Sequence, residues 1–165
     1  MARKRKYGKL YDKKLGLMRG LEEAVLVAVI VIALFTLVIG ISRVSGNSMS
    51  PTLHDGQPVL YVRLEKNYVP GDIASVRMPD DEYLVKRIVA VEGDSVDIHD
   101  GVVYINGTAL EDGFGYTEAG SFNKYPVTLP EGHIFVLGDN REISVDSRAF
   151  GPISATQTRG RIVLY

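Results

Sequence analysis

The 165-residue chain contains no cysteine and no tryptophan. Without cysteine there is no disulfide scaffold, no thiolate-bound metal and no iron–sulfur centre. Histidine is scarce as well. His54, His99 and His133 lie in separate segments and never in the His-Glu-x-x-His spacing that places two ligands on one helix face. The chain has no Walker phosphate loop and no Gly-x-Ser-x-Gly elbow. Charge is absent from one long stretch, since residues 24–42 hold no Asp, Glu, Lys or Arg.

That gap divides the chain. Residues 1–23 carry eight Lys/Arg against three Asp/Glu, a net of +5. Residues 44–165 carry ten against seventeen, a net of −7, and Arg43 completes the formal charge of −1. The basic residues are concentrated in a tail and the larger part is acidic, which argues against a nucleic-acid binder.

Residues 24–41 read AVLVAVIVIALFTLVIGI, with Thr36 and Gly40 as the only interruptions. At 1.5 Å per residue this is about 27 Å of helix, close to a hydrocarbon core of roughly 30 Å. A cleaved signal peptide has a shorter apolar core and a small-x-small site. A core helix of a soluble domain is amphipathic, whereas this one is apolar all round. The pattern predicts a basic cytoplasmic tail over 1–23, a transmembrane anchor over 24–42 and an extracytoplasmic domain over 43–165. The expected location is the cell membrane, single-pass, with the tail on anionic lipid headgroups.

Beyond Val44 the helical pattern stops. Short apolar or alternating runs at 58–64, 73–78, 83–91, 95–98, 102–105, 133–137 and 161–164 predict strands. Pro70-Gly71-Asp72, Pro79-Asp80-Asp81, Glu92-Gly93-Asp94 and Asp100-Gly101 separate several of them. This spacing predicts an all-β domain, a barrel or a sandwich. Asn106-Gly107 is the clearest hairpin turn, because a type I′ turn needs positive φ at both positions. Residues 111–128, with Gly113, Gly115 and Gly120, read as an irregular insertion.

Three segments hold candidate chemistry. The first, Ser45-Gly46-Asn47-Ser48-Met49-Ser50-Pro51-Thr52-Leu53, follows the anchor and on its own reads equally well as a linker. In the second, the strand at 83–91, alternation puts Leu84, Lys86 and Ile88 on one face. Burial among them would lower the lysine pKa and make Lys86 a base for a serine hydroxyl. Periodicity alone favours the alternative, in which Lys86 and Arg87 reach out to solvent. The third, residues 138–151, alternates Asp139, Arg141, Asp146 and Arg148, a pattern suited to an ion-pair network. Ser144 or Ser147 stands ready to hydrogen-bond a neighbouring site. Ser121-Phe122-Asn123-Lys124 fits the Ser-x-x-Lys pattern, but that motif needs a helix, and its companion motifs are missing.

Taken in order, Ser48-Met49-x-Pro51-Thr52-Leu53, Gly71-Asp72-Ile73, Lys86-Arg87-Ile88, Gly93-Asp94 and Gly138-Asp139-Asn140-Arg141 with Ser144-x-Asp146-Ser147-Arg148 resemble the bacterial type I signal peptidases. The likeness is to the Gram-positive kind with a single N-terminal anchor. It implies a Ser/Lys-dyad serine endopeptidase that removes signal peptides from exported preproteins after small residues at −1 and −3. Ser48 then matches the nucleophile, Lys86 the general base and Ser144 the serine that orients the lysine. Asp146 and Arg148 match a structural ion pair. Met49, Leu53, Leu84 and Val85 are candidate pocket walls, and Met49 and Leu53 would also suit a face touching lipid. The Ser48 N–H is the expected first oxyanion donor. Gly46 stands where some members carry a serine, which leaves the second donor open. The resemblance implies no cofactor and no metal, with signal peptides, membrane lipid and the secretion translocon as partners.

Two other readings compete. A self-cleaving repressor of the SOS type shares the dyad but lacks a span and has a DNA-reading module. A catalytically inactive, membrane-tethered β-domain serving secretion or pilus assembly would have no need of Ser48, Lys86 and Ser144 together.

Overall fold

The computed structural model describes residues 2–78, 82–122 and 124–165, with side chains from residue 14 onward. The turn expected at Pro79-Asp80-Asp81 lies outside the described residues. The chain forms two compact units, residues 1–38 and 39–165.

The first unit is one helix, α1 (Ala2–Val38). The basic tail therefore continues into the apolar run without a break. Its segment Lys14–Val38, 25 residues, is long and apolar enough to cross a membrane. The helix ends at Val38, short of the anchor boundary expected at 42. The last apolar residues leave the helix and form strand β1 (Ile39–Arg43), paired antiparallel with β2 (Pro58–Val62). Gly40 is the reason that pairing fits, since a β-carbon there would lie 2.2 Å from the ring of Tyr61 across the ladder.

The second unit is all-β. It adds β3 (Ile73–Arg77), β4 (Tyr83–Ala90), β5 (Ser95–His99), β6 (Val102–Ile105), β7 (Thr108–Ala109), β8 (Val127–Thr128), β9 (His133–Leu137), β10 (Ile153–Ser154) and β11 (Thr158–Leu164). One turn of helix, α2 (Ser147–Phe150), interrupts them. Seven strands form a sheet in the order β1-β2-β11-β3-β4-β9-β10, and four form a second in the order β7-β6-β5-β8. Asn106 and Gly107 both take positive φ, 53° and 79°, in the turn before β7. The Asn106 amide also donates to Asp94 and accepts from the Ser95 N–H, so the turn is tied to β5 as well.

The strands that matter for the site are central. Along β9, Ile134 and Val136 join one apolar cluster with Ile88, while Phe135 and Leu137 join another with Val89 and Ala90. Side chains alternate across a sheet, so the paired segment of β4 and β9 is buried on both faces. A lysine on β4 is thereby held by a rigid frame. β4 meets β3 along residues 83–87 but meets β9 only from Arg87 onward. Among the described residues, its other edge from Tyr83 to Lys86 carries no partner strand.

Candidate active site

The turn that carries Ser48 is built by short-range bonds. Ser50 N–H donates to Asn47 O, Leu53 N–H to Met49 O, and Gly46 N–H to the Asp55 carboxylate. Beneath it, Met49 and Leu53 are fully buried with Val44, Val59, Tyr61, Ile73 and Ile162. This corrects the expectation that Met49 and Leu53 face lipid or line an open pocket. They are apolar pegs that seat the turn, and the surrounding core encloses them. Pro51 is exposed, and Leu84 and Val85 are half-buried on β4.

Lys86 is 1% exposed, among the most buried side chains in the chain. Its Nζ donates to Ser48 Oγ at 2.8 Å and to Ser144 Oγ at 2.9 Å. The solvent-reaching alternative for Lys86 does not hold. Burial pulls its pKa down from 10.5 to about 8, with Asp146 opposing the shift and Arg148 adding to it. An amine of that pKa is about one-tenth neutral at pH 7 and has a lone pair available near the pH of its surroundings.

The loop after β9 closes the site. Asn140 N–H donates to the Ser48 carbonyl at 3.0 Å. Asp146 is sealed from solvent, accepting from Arg148 Nε at 2.8 Å, Arg148 Nη2 at 2.9 Å and the Gly138 N–H at 2.9 Å. Burial alone would raise its pKa, but these hydrogen bonds and the Arg148 charge hold the carboxyl below its ordinary value. Ser147 is also fully buried, and its Oγ accepts from the Val136 N–H. Ser144, then, is the serine at the lysine.

The expected network within this loop is wired differently from its alternating pattern. Asp139 pairs with Arg87, which reaches it through two nitrogens at 2.8 and 2.7 Å and also bonds Gly71 O and Thr52 Oγ1. Arg87 thus joins β4, the Ser48 turn and the loop, a role that sequence reasoning missed. Arg141 pairs instead with Asp112 in the irregular segment and donates to Thr117 Oγ1. No signal in the sequence links those positions, which are 24 and 29 residues apart.

The three histidines lie elsewhere. His99 stacks on Tyr104, His133 bonds Glu131 O, and His54 is exposed. Ser121 and Phe122 are not helical, so the Ser-x-x-Lys match lacks the geometry it requires.

The family model described as "Signal peptidase, peptidase S26" matches residues 17–165. The chain belongs to that family. The signal peptidase I of Bacillus licheniformis is 37% identical over 120 residues, covering 64% of this chain and 63% of the relative. Signal peptidase I V of Bacillus subtilis is 33% identical over 127 residues, covering 67% and 76%. The chloroplastic thylakoidal processing peptidase 1 of Arabidopsis thaliana is 33% identical, covering 73% of this chain and 39% of its own length. The chain therefore spans less than two thirds of several of its signal peptidase relatives. A crystal structure of a signal peptidase I from Enterococcus faecalis superposes with a TM-score of 0.51 at 29% identity, covering 59% of this chain and 97% of that one. The all-β architecture is thus that of a signal peptidase I.

Proposed function

We propose that this chain is a membrane-anchored serine endopeptidase that removes N-terminal signal peptides from exported preproteins. The observation that carries the reading is Lys86 Nζ lying between Ser48 Oγ and Ser144 Oγ in a buried setting. Neutral Lys86 takes the Ser48 proton as Oγ adds to the scissile carbonyl. The resulting ammonium protonates the leaving amine, the C–N bond breaks, and an acyl-Ser48 remains. Water then attacks the ester with Lys86 again as base. Ser144 orients the lysine, and the Asp146–Arg148 pair holds the loop that carries Ser144.

The oxyanion needs preorganised donors, each worth roughly 10²–10³ in rate. Among the described residues the Ser48 N–H has no acceptor in its turn, which supports it as the first donor.

The free edge of β4 before Lys86 supports substrate binding by strand addition. A substrate running parallel to β4 lays its acyl side along Tyr83, Leu84 and Val85 and brings its scissile carbonyl to Lys86. Alternate side chains then point at the domain, in keeping with selection of small residues at −1 and −3. The charge asymmetry about the apolar run at 24–41 supports a cytoplasmic N-terminus with the β-domain outside, where lipid and the secretion translocon are its neighbours.

The test is cleavage of a preprotein bearing an Ala-x-Ala site, in detergent micelles, followed by sequencing of the product N-terminus. Wild type is expected to cut after the second Ala, and Ser48→Ala and Lys86→Met to be inert while folded. An inert wild type would overturn the reading in favour of a tethered binding domain.

A further inference from the structure

The reaction makes no use of the irregular segment between β7 and β8, yet its middle is pinned against the site. Arg141 holds it at both ends, through Asp112 and through Thr117 Oγ1 at 2.7 Å, while its Nε returns to Gly138 O. Phe114 meets two guanidinium groups, with Arg87 5.1 Å and Arg141 5.5 Å from its ring centre. Next to it, Tyr116 is 69% exposed. Its ring nevertheless rests so closely on Gly101 that a β-carbon there would lie 2.1 Å from it. Residues 112–117 form a strap that presents a fixed aromatic ring to solvent.

Between this strap and the nucleophile turn is a cleft of about 360 Å³, lined by Ser50, Pro51, Phe114, Tyr116, Asn140 and Glu142 among others. A second cavity of about 490 Å³ shares Tyr116 and Glu142 and reaches Ser144. Tyr116 therefore borders both. The charges of Asp139 and Arg141 are already matched by Arg87 and Asp112. Glu118 and Glu142, on the second cavity, have no ion-pair partner among the described residues.

Topology says which half of a substrate these clefts receive. Past Lys86 the edge of β4 is closed by β9. If the acyl half occupies the open edge, the leaving half must quit β4 at Lys86 and cross the loop bearing Asn140 and Ser144, where both clefts lie. We infer that the two clefts form the leaving-side subsite, taking residues +1 and +2 of the substrate, with Tyr116 setting the preference there. The inference rests on the endopeptidase reading above. An aromatic wall beside two unpaired carboxylates favours apolar residues and repels acidic ones.

The experiment uses the full chain in detergent micelles and two preproteins identical except for Leu or Glu at +2. Wild type is expected to favour the Leu substrate in kcat/KM. Loss of one apolar contact surface is worth about tenfold or more, so Tyr116→Ala should narrow that preference by about tenfold. Tyr116→Phe should preserve it, and Glu142→Gln should raise cleavage of the Glu substrate severalfold. A Tyr116→Ala variant that slows both substrates equally, or an unchanged Leu-to-Glu ratio, would overturn the subsite. Cleavage of neither substrate by wild type would contradict the endopeptidase reading itself, and the inference with it.

Discussion

A β-carbon placed on Gly138 would lie 2.1 Å from Ser144 Oγ, and 2.6 Å from the Ser48 carbonyl oxygen. Gly138 packs in the crevice between the two hydroxyl residues that Lys86 bonds, so the spacing of the trio depends on the absence of a side chain there. Gly138→Ala must push Ser144, Ser48 or the β9 loop aside. Overpacking of this kind costs about 1–3 kcal/mol, and a displacement near 1 Å at a reacting centre costs about a hundredfold in rate. The variant is expected to fold with a lowered melting temperature and to lose about two orders of magnitude in kcat, as read by preprotein cleavage and thermal denaturation.

The lowered pKa of Lys86 fixes the sign of the pH dependence. As the proposed base, Lys86 must be neutral to act, so kcat/KM should rise with pH and level off above about 8. A lysine with its ordinary pKa would place that limb above 10. Between about 8 and 10.5 the unfolded chain holds a proton at this residue that the folded chain lacks. This group's contribution to stability therefore grows with pH across that window. A pH–rate profile with one ascending limb near 8 is the expected result.

Asp146 and Arg148 are a buried pair, and removing one partner leaves the other charge without compensation. Breaking such a pair costs about 3–5 kcal/mol. Asp146→Asn should destabilise the fold in urea by that order and slacken the loop carrying Ser144. Because the folded-state pKa of Asp146 lies below its unfolded value, its stabilisation is present above about pH 4 and is lost as pH falls through the folded value. Acid denaturation of Asp146→Asn should therefore be less steep than that of wild type.

The absence of native cysteine makes the proposed topology directly measurable. Arg3→Cys should resist a membrane-impermeant maleimide in intact cells and react after permeabilisation. Glu111→Cys, on the exposed side of the β-domain, should label in intact cells. The opposite pattern would reverse the orientation.

Much of the β-domain was readable from the chain because its strands are short, β-branched and separated by glycine turns. β6 and β9 coincide with their predicted bounds, and β4 differs by one residue. The apolar run is readable as a helix but its end is not. Ile39 and Ile41 look the same to a hydropathy pattern whether they face lipid or pair with β2, and only the seat of Tyr61 on Gly40 distinguishes the two. Lys86 stands out as a cation on an apolar face, but no periodicity links it to Ser48, 38 residues away, and only the fold brings the two together. Arg87 and Arg141 were misjudged for a physical reason. An ion pair is chosen by three-dimensional geometry, and Asp139 pairs with Arg87, 52 residues away, rather than with its neighbour in the motif. The 111–128 segment, glycine-rich and aperiodic, gave no hint that Asp112 and Thr117 anchor it to the site.

Trapping the acyl-enzyme shows whether Ser48 is the nucleophile and Lys86 its base. Wild type is treated with a serine-acylating penem and the modified peptide is located by mass spectrometry. A single adduct on Ser48 is expected in wild type and none in Lys86→Met at neutral pH. An adduct on another residue, or undiminished acylation of Ser48 in Lys86→Met, would contradict these roles.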